Sequence, residues 1–405
     1  MILKFERMFK KLIEYKEYKL LITSVLAFSI PLILYIFTLE PKLKDDIASL
    51  YAVQLTRMEI LPPPGYPIYS LIVKLFTLIP IGDLAYKLNL ISAIFGALTV
   101  LILFLSIRLL IQNKIISLAA ALIFAFMIPF WSIANRLEVS TFNTLIIVLA
   151  IFFILKYKKN KDLKNLYFFF FCAGINFTGH LLNHFIAITL IIYAVFINPK
   201  IFRSKKIAFK SILFFLIPLL SYLYIFIRSL QGFGTFNTIQ ELIYYVMGRT
   251  PSGNIYHGSI FFKSISQTYV LFEDYLKILY DNVGITIMIF SIVGFFYFIK
   301  KNPVLAIYSF IIIIVNFYII IQYYEKPFLN YTLPILMIMS IYISFFFLLI
   351  YDLTNILLKK SFHNKKRTKG KKIFYSIIII ILFLIFLQSF LLKIFNVFTI
   401  HKNYQ

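Results

Sequence analysis

The sequence predicts an all-α polytopic membrane protein with about eleven transmembrane helices, and two observations carry that prediction. Hydrophobic residues make up 61% of the 405 residues, above the share of about half that is usual in soluble domains. The mean hydropathy is +0.89. The basic residues behind the net charge of +25 lie in clusters between the apolar runs. That placement follows the positive-inside rule and argues against nucleic-acid binding.

The basic clusters assign a side to each end of every apolar run. Residues 1–19 are basic and predict a cytoplasmic N-terminus, 20–394 form the transmembrane domain, and 395–405 form an outer tail. The single cysteine, Cys172, excludes an intramolecular disulfide. The predicted crossings are 20–38, 88–111, 115–130, 138–156, two short ones within 166–197, then 208–227, 284–299, 304–321, 331–350 and 373–394.

The first outer loop, 39–87, holds adjacent carboxylates at Asp45 and Asp46. Apolar residues at helical spacing follow, which predicts an amphipathic interfacial helix. Its predicted apolar face is Ile47, Leu50, Tyr51, Leu55 and Met58. The Pro-rich turn (residues 61–67) ends this helix, because proline lacks the backbone donor. Either aspartate can cap the helix N-terminus, and a cap and a catalytic base are compatible roles.

A long outer loop, 228–282, carries a second predicted helix. Thr238 and Glu241 form a capping box, and Gly248 stands where a helix end favours a left-handed residue. Arg228 and Arg249 bracket this helix. An arginine at a span end commonly snorkels to lipid headgroups, whereas the functional interpretation is bidentate phosphate binding.

Three further ionisable positions stand at predicted span ends. Glu138 opens a crossing, either as a carboxylate favoured by the helix dipole and paired with Arg136 or as a functional group. His180 and His184 are four residues apart and predict one helical face. Further zinc ligands are missing, so polar lining of a substrate cavity is favoured over a metal site.

The motifs resemble the GT-C superfamily of lipid-linked-sugar glycosyltransferases, and within it the protein O-mannosyltransferase-like family. Ser49 stands where that family usually has Glu, Gly179 where it has Asn, and Pro62 where it has His. The residues that carry the resemblance are Pro63-Pro64-Gly65-Tyr66-Pro67-Ile68-Tyr69, Leu88-Asn89-Leu90-Ile91-Ser92 with Gly96, Phe130-Trp131-Ser132 with Glu138-Val139 and Asn143, the stretch 174–180, and the segment 224–228.

The resemblance implies a GT-C-like fold and inverting transfer of a sugar, such as mannose, from a polyprenyl phosphate carrier to a hydroxyl on a protein, glycan or lipid. It implies a multi-pass cell-membrane enzyme with an extracytoplasmic site and no metal or other cofactor. Asp46 is the first candidate for the base and Asp45 the second. The predicted substrate-binding residues are Glu138, His180, His184, Tyr66 and Arg136, and the predicted phosphate-binding residues are Arg228 and Arg249. The alternative function is a non-enzymatic transporter or lipid-linked-sugar flippase, which would share the broken helices.

Overall fold

The computed structural model describes residues 2–43, 46–249, 263–323 and 329–360, with isolated residues between 374 and 388. The described chain is helical, and the predicted all-α polytopic fold is confirmed. The helices are α1 (Ile2–Phe37), α2 (Asp46–Arg57), α3 (Pro67–Thr77), α4 (Leu84–Ile111), α5 (Lys114–Phe126), α6 (Ile128–Ala134), α7 (Val139–Asn160), α8 (Leu163–Asn176), α9 (Leu181–Ile197), α10 (Lys200–Arg203), α11 (Lys205–Leu219), α12 (Tyr222–Arg228), α13 (Ile239–Val246), α14 (Ile265–Val283), α15 (Ile285–Lys301), α16 (Pro303–Tyr323) and α17 (Leu333–Lys360).

In the part of the chain that the structure describes, fewer helices have the length and hydropathy of a membrane crossing than the sequence predicts. Within the described residues, 6 helices are long and apolar enough to cross a bilayer, or up to 8 if each bent pair counts as one crossing. The predicted count of about eleven is therefore not confirmed. Helices α8 and α9 have 14 and 17 residues, shorter than the roughly 20 that a crossing needs. The predicted crossing 373–394 and the tail 395–405 lie largely outside the described residues.

Helices α4, α7 and α17 form the buried centre of the bundle, while α1 and α11 are mostly exposed. Two glycines set the closest helix contacts. A Cβ at Gly174 in α8 would overlap the carbonyl oxygen of Phe215 in α11, and one at Gly294 in α15 would overlap that of Tyr342 in α17. Lipid provides little hydrophobic force between helices, so small residues that permit close approach stabilise such pairs.

Two predicted segments differ from the structure. The predicted crossing 115–130 is broken at Met127, and α6 turns 70° away from α5. Pro129 stands in the first turn of α6. Backbone N–H groups there have no intrahelical acceptor, so proline's missing N–H breaks no helical hydrogen bond. The second difference is α14, a helix at 103° to α15 inside the predicted outer loop 228–282. Its buried side chains recur every fourth residue: Leu271, Tyr275, Leu279 and Val283.

Candidate active site

Helix α2 begins at Asp46, the first candidate for the catalytic base. Of Asp46 only the backbone is described, and Asp45 lies outside the described residues. The helix ends at Arg57, ahead of the Pro-rich turn, as the sequence predicts. The backbone therefore places Asp46 at the N-terminal end of α2.

The predicted apolar face of α2 divides into two. Leu55 is almost fully buried and Tyr51 is half-buried, so these side chains face the protein. Ile47 and Leu50 are 66% and 52% exposed. A helix that lies between a protein and lipid needs apolar side chains on both sides, and α2 has them.

The Pro-rich turn joins α2 to α3 through two residues with left-handed backbone, Gly65 (φ +90°) and Tyr66 (φ +45°). A Cβ at Gly65 would lie 2.9 Å from Ile225 of α12 and 3.4 Å from the ring of Tyr245 of α13. The Tyr245 hydroxyl also donates to the carbonyl of Leu61. Tyr66 is buried at the start of α3, in a conformation that costs a non-glycine residue about 1–3 kcal/mol.

A network of backbone and amide groups fastens the start of the first loop to the segment before α7. Asn89 is fully buried: its Nδ2 donates to the Glu40 carbonyl at 2.8 Å and its Oδ1 accepts from the Leu137 N–H at 2.7 Å. Asn135 donates from Nδ2 to the Thr38 carbonyl at 2.6 Å, and its own carbonyl accepts from the Glu40 N–H at 2.9 Å. We call this set the loop-fastening network.

Glu138 is the N-cap of α7 and is held by neutral partners. Its backbone N–H donates to the Ser92 hydroxyl at 3.1 Å, Oε1 accepts from the Ser140 hydroxyl at 2.9 Å, and Oε2 accepts from Asn330 Nδ2 at 3.1 Å. Glu138 is the carboxylate at the helix N-terminus that one alternative describes, but within the described residues it makes no ion pair with Arg136. The carboxylate is thus oriented without being neutralised by a cation.

Two tyrosines lie over this carboxylate, Tyr51 from α2 and Tyr69 from α3. Burial raises the pKa of the Tyr51 hydroxyl, and the negative charge of Glu138 raises it further. Burial raises the pKa of Tyr69 more strongly, with smaller contributions from Glu138 and Tyr51. The Tyr69 hydroxyl has no hydrogen-bond partner in the described part of the chain. Helix α3 contacts α7 through Tyr69 and Phe142, whose ring centres are 5.8 Å apart, and the charge of Glu138 reaches Tyr51 of α2.

Arg136 is half-buried and lies two residues before Glu138. Its guanidinium has neither a hydrogen bond nor an ion pair to any described residue. A half-buried arginine without an anion is able to bind one from outside, since its planar fork matches carboxylate and phosphate oxygens.

The two histidines diverge, because α9 begins only at Leu181 and leaves His180 as its N-cap. His180 Nδ1 accepts from the Leu182 N–H at 3.3 Å, and its ring lies 4.7 Å from that of Tyr331. His184 Nε2 donates to the Phe177 carbonyl at 3.1 Å and stacks on the Phe177 ring. The two rings have different roles: His180 lines a cavity, whereas His184 bonds to the break between α8 and α9.

Arg228 holds the C-terminal end of α2. Its Nε donates to the Met58 carbonyl at 2.7 Å and its NH2 to the Arg57 carbonyl at 2.9 Å. NH1 donates to Gln231 at 2.6 Å, and the guanidinium lies 3.9 Å from the centre of the Phe233 ring. Most of the donor capacity of Arg228 is thus used within the protein, and phosphate binding by this residue stays a prediction.

Arg249 follows α13, whose ends match the sequence prediction. Thr238 and Glu241 form the capping box, and Gly248 is left-handed (φ +71°). The Arg249 N–H donates to the Tyr244 carbonyl at 2.8 Å, while its side chain is exposed and has no described partner.

A polar cavity lies beside Glu138, and the sequence predicts His180 in the lining of such a cavity but not the asparagines around it. The signal was present as amide side chains inside apolar runs, which are costly in a membrane. Among the described residues no group of three or more His, Cys, Asp or Glu side chains could hold a metal ion. The polar lining of the cavity is Ser140, Asn143, Thr144, His180, Asn183, Asn316, Asn330 and Tyr331.

Residues 48–204 match the family model of the protein O-mannosyl-transferase TMEM260 N-terminal domain. Protein O-mannosyl-transferase TMEM260 of Mus musculus is 29% identical over 125 residues, and the protein of the same name from Dictyostelium discoideum is 25% identical over 144. The matches span 31% and 35% of this chain but 18% of each relative. The expected likeness to the protein O-mannosyltransferase-like family is confirmed over this region.

The fold is similar to that of ArnT from Cupriavidus metallidurans. The apo structure superposes with a TM-score of 0.55 at 12% identity, covering 80% of this chain and 59% of that one. The structure of ArnT bound to undecaprenyl phosphate gives a TM-score of 0.53 with the same identity and coverage. The GT-C-like fold is thereby confirmed, without any implication for substrate.

Because Arg228 bonds to the end of α2, its removal should destabilise the protein, whereas the removal of Arg136 should not. Arg228→Ala removes bonds to two carbonyls at the end of α2, and we expect a destabilisation of about 1–3 kcal/mol. Hydrogen exchange of residues 46–66 should become faster and thermal unfolding should occur at a lower temperature. Arg136→Ala, which removes a guanidinium without a described partner, should leave both unchanged. Equal exchange in the two variants would contradict the role of Arg228.

Proposed function

We propose that the protein is an inverting membrane glycosyltransferase, because residues 48–204 match the model of a protein O-mannosyl-transferase domain and the bundle has a GT-C-like fold. It moves a sugar, such as mannose, from a polyprenyl phosphate carrier to a hydroxyl of a protein, glycan or lipid. The reaction takes place on the extracytoplasmic face.

One observation carries the proposal: the region that matches the family model contains most of the elements that surround Glu138. Residues 48–204 contain most of α2, the Pro-rich turn, Asn89, Glu138 and His180. Several of these elements contact the start of α7: Ser92 of α4 accepts from the Glu138 N–H, and Tyr69 of α3 packs against Phe142 of α7. The carrier class is supported by the fold similarity to a protein solved with undecaprenyl phosphate.

The chemistry requires a base, a leaving group and charge stabilisation. The acceptor oxygen attacks the anomeric carbon, a new carbon–oxygen bond forms, and the bond from that carbon to the carrier phosphate breaks with inversion. An aspartate at the start of α2 takes the hydroxyl proton. The departing phosphate gains negative charge, which guanidinium groups stabilise.

We assign the base to Asp46 first and Asp45 second, with Glu138 next. Asp46 opens α2 directly, and Tyr51 of the same helix lies near enough to Glu138 for that charge to raise the Tyr51 pKa. Glu138 already accepts hydrogen bonds from Ser140 and Asn330, which suits a residue that orients substrate.

The base assignment predicts that Asp46→Asn abolishes sugar transfer while the protein folds and binds carrier. Asparagine also caps helices well, so this change removes charge and keeps the cap. General-base catalysis contributes about 10²–10⁴-fold, and we expect a loss in that range. The assay measures transfer from a synthetic polyprenyl phosphate mannose, with Asp83→Asn, the cap of α4, as the matched control.

Two outcomes would redirect this assignment. Full activity in both Asp46→Asn and Asp45→Asn would move the role to Glu138, to be tested with Glu138→Gln. Movement of the carrier across vesicle membranes with no transfer product in the parent protein would support the flippase alternative.

The phosphate assignment predicts weaker carrier binding in Arg249→Ala. A hydrogen bond to a charged group is worth about 1.5–3 kcal/mol, so affinity for polyprenyl phosphate should fall about 10- to 100-fold. Arg57→Ala is the control, since this arginine is exposed and pairs with Glu59 at 3.8 Å. Calorimetry in lipid nanodiscs measures the affinity of both variants for polyprenyl phosphate. Equal affinity in Arg249→Ala and the parent would contradict a role of Arg249 in phosphate binding.

The sidedness of the site is testable along α7. This helix has 22 residues, about 33 Å at 1.5 Å per residue, and runs from Glu138 to a basic end at Lys158 and Lys159. The positive-inside rule assigns the basic end to the cytoplasm. An impermeant thiol reagent should label Ile47→Cys in intact cells but Lys161→Cys only after permeabilisation. The native Cys172 is buried, so it should react little with the reagent and contribute little background labelling. The reverse labelling pattern would invert the topology.

A further inference from the structure

Helix α14 runs between the ends of two crossing helices. Near its start, Gln322 Nε2 at the end of α16 donates to the Thr268 hydroxyl at 3.3 Å. At its other end α14 joins α15 through Gly284, at an angle of 103°. The positive-inside rule assigns the opposite, basic end of α15, at Lys300 and Lys301, to the cytoplasm. Helix α14 therefore lies across the outer boundary of the bilayer instead of crossing it.

The bend at Gly284 is encoded in the sequence. Its backbone angles, φ +83° and ψ +149°, fall in a region that essentially only glycine adopts. Ser264 and Gln267 form a capping box that begins α14. Helix α14 is thus a separate helix with its own start and end, 19 residues long, or about 28 Å at 1.5 Å per residue.

One exposed side of α14 is apolar along the whole helix. Its large apolar side chains recur at intervals of three or four residues, the spacing that places them in one line on a helix. They lie beside the buried side chains of α14 and are between 38% and 91% exposed. We call them the α14 stripe: Ile265, Tyr269, Phe272, Leu276 and Tyr280.

The charged side chains of α14 occupy its remaining side. At 3.6 residues per turn, Asp274 is rotated by roughly 160° from Leu276. The charged residues of α14 are Glu273, Asp274, Lys277 and Asp281, so three carboxylates face one ammonium. Helices that bind anionic lipid carry lysine and arginine on this side. The charge of α14 therefore does not attract an anionic surface, and apolar contact remains as the attraction.

The α14 stripe continues into the lipid-facing surface of the crossing helices. Phe272 packs on Phe317 of α16, with ring centres 5.5 Å apart. On the same helix, which is long and apolar enough to cross a bilayer, Ile314 and Tyr318 are exposed. Tyrosines are enriched at the membrane boundary, because the ring is apolar and the hydroxyl is polar. On the far side of the bend, α15 exposes Ile285, Ile289, Ile292 and Phe296.

The inner side of α14 packs near the candidate site. Leu271 and Tyr275 belong to one apolar cluster with Leu182 at the start of α9, and Tyr331 packs against that cluster. The Tyr331 ring in turn lies 4.7 Å from that of His180. The position of α14 therefore helps to fix the contact between Tyr331 and His180.

We propose that the α14 stripe is a lipid-binding surface, which seats α14 in the outer leaflet of a neutral or zwitterionic bilayer and so holds its inner side against the cluster of Leu182 and Tyr331. A helix seated in this way lies with its apolar side about 5–10 Å into the boundary between headgroups and acyl chains. This role is independent of the proposed transferase reaction.

The test attaches a fluorophore to single cysteines of the full chain in phosphatidylcholine nanodiscs. Leu276→Cys lies on the stripe, and Asp274→Cys on the charged side is the matched control. A nitroxide on the upper acyl chain should quench the label at 276 at least about twofold more than the label at 274, because only the stripe enters the bilayer. Aqueous iodide should quench the two labels in the reverse order. Adding phosphatidylglycerol should leave both results unchanged, since α14 carries no net positive charge.

Hydrogen exchange measures whether lipid contact holds the helix. Leu276→Gln replaces one apolar side chain of the stripe, and Val270→Gln replaces an exposed apolar side chain on the charged side. Loss of a leucine's burial in lipid should make exchange of the α14 amides about fivefold faster or more in Leu276→Gln. Val270→Gln should exchange like the parent, because water surrounds that position in both.

Three results would refute the proposal. Stronger quenching by iodide than by the lipid nitroxide at 276 would show that the stripe faces water. Protection of this label from both quenchers would show that a protein surface, such as a second copy of the chain, covers the stripe. Quenching by the lipid nitroxide only when phosphatidylglycerol is present would show that charge, and not the apolar stripe, binds the membrane.

Discussion

The buried amide of Asn89 is the constraint on which the site depends. It donates to the Glu40 carbonyl and accepts from the Leu137 N–H, joining two chain segments that are far apart in sequence. Leaving either backbone group unpaired in a buried setting would cost about 1–3 kcal/mol. The same network includes the Trp131 indole, which donates to the Thr38 hydroxyl at 2.8 Å. Glu138 is therefore held in place by the backbone that leads into α2, and the two halves of the candidate site are positioned together.

This network also explains why the family motifs contain the residues they do. Asn89 and Ser92 supply side chains to the Leu137–Glu138 backbone. Gly96, on the next turn of α4, permits close approach, because a Cβ there would lie 2.9 Å from Ala134 and 3.1 Å from the Tyr35 ring. Asn89, Ser92 and Gly96 of α4 thus position the segment that carries Glu138.

Local signals in the sequence predicted the local features well. The start of α2 at Asp46, its end before the prolines, the capping box at Thr238 and the left-handed Gly248 all follow from side-chain and backbone chemistry within a few residues. The arrangement of the site could not be read in the same way. Arg228 is predicted as a phosphate ligand from its type and location, but contacts to Met58 and Arg57, some 170 positions earlier, decide what its donors do. The cavity asparagines come from separate helices, and only tertiary packing brings them together.

The contact of Gly65 with α12 and α13 bears on where a functional module of this protein begins and ends. The region recognisable by similarity stops at residue 204, yet the Pro-rich turn packs on Ile225 and Tyr245 beyond it. Ile60, Ile225, Phe236 and Tyr245 form one small apolar cluster of their own. A segment exchanged between relatives would therefore have to extend beyond residue 204 to keep this contact. A chimera that takes the first loop without α12 and α13 would place Gly65 against different side chains. Since glycine has no side chain that could change rotamer, the mismatch could not be relieved at this position.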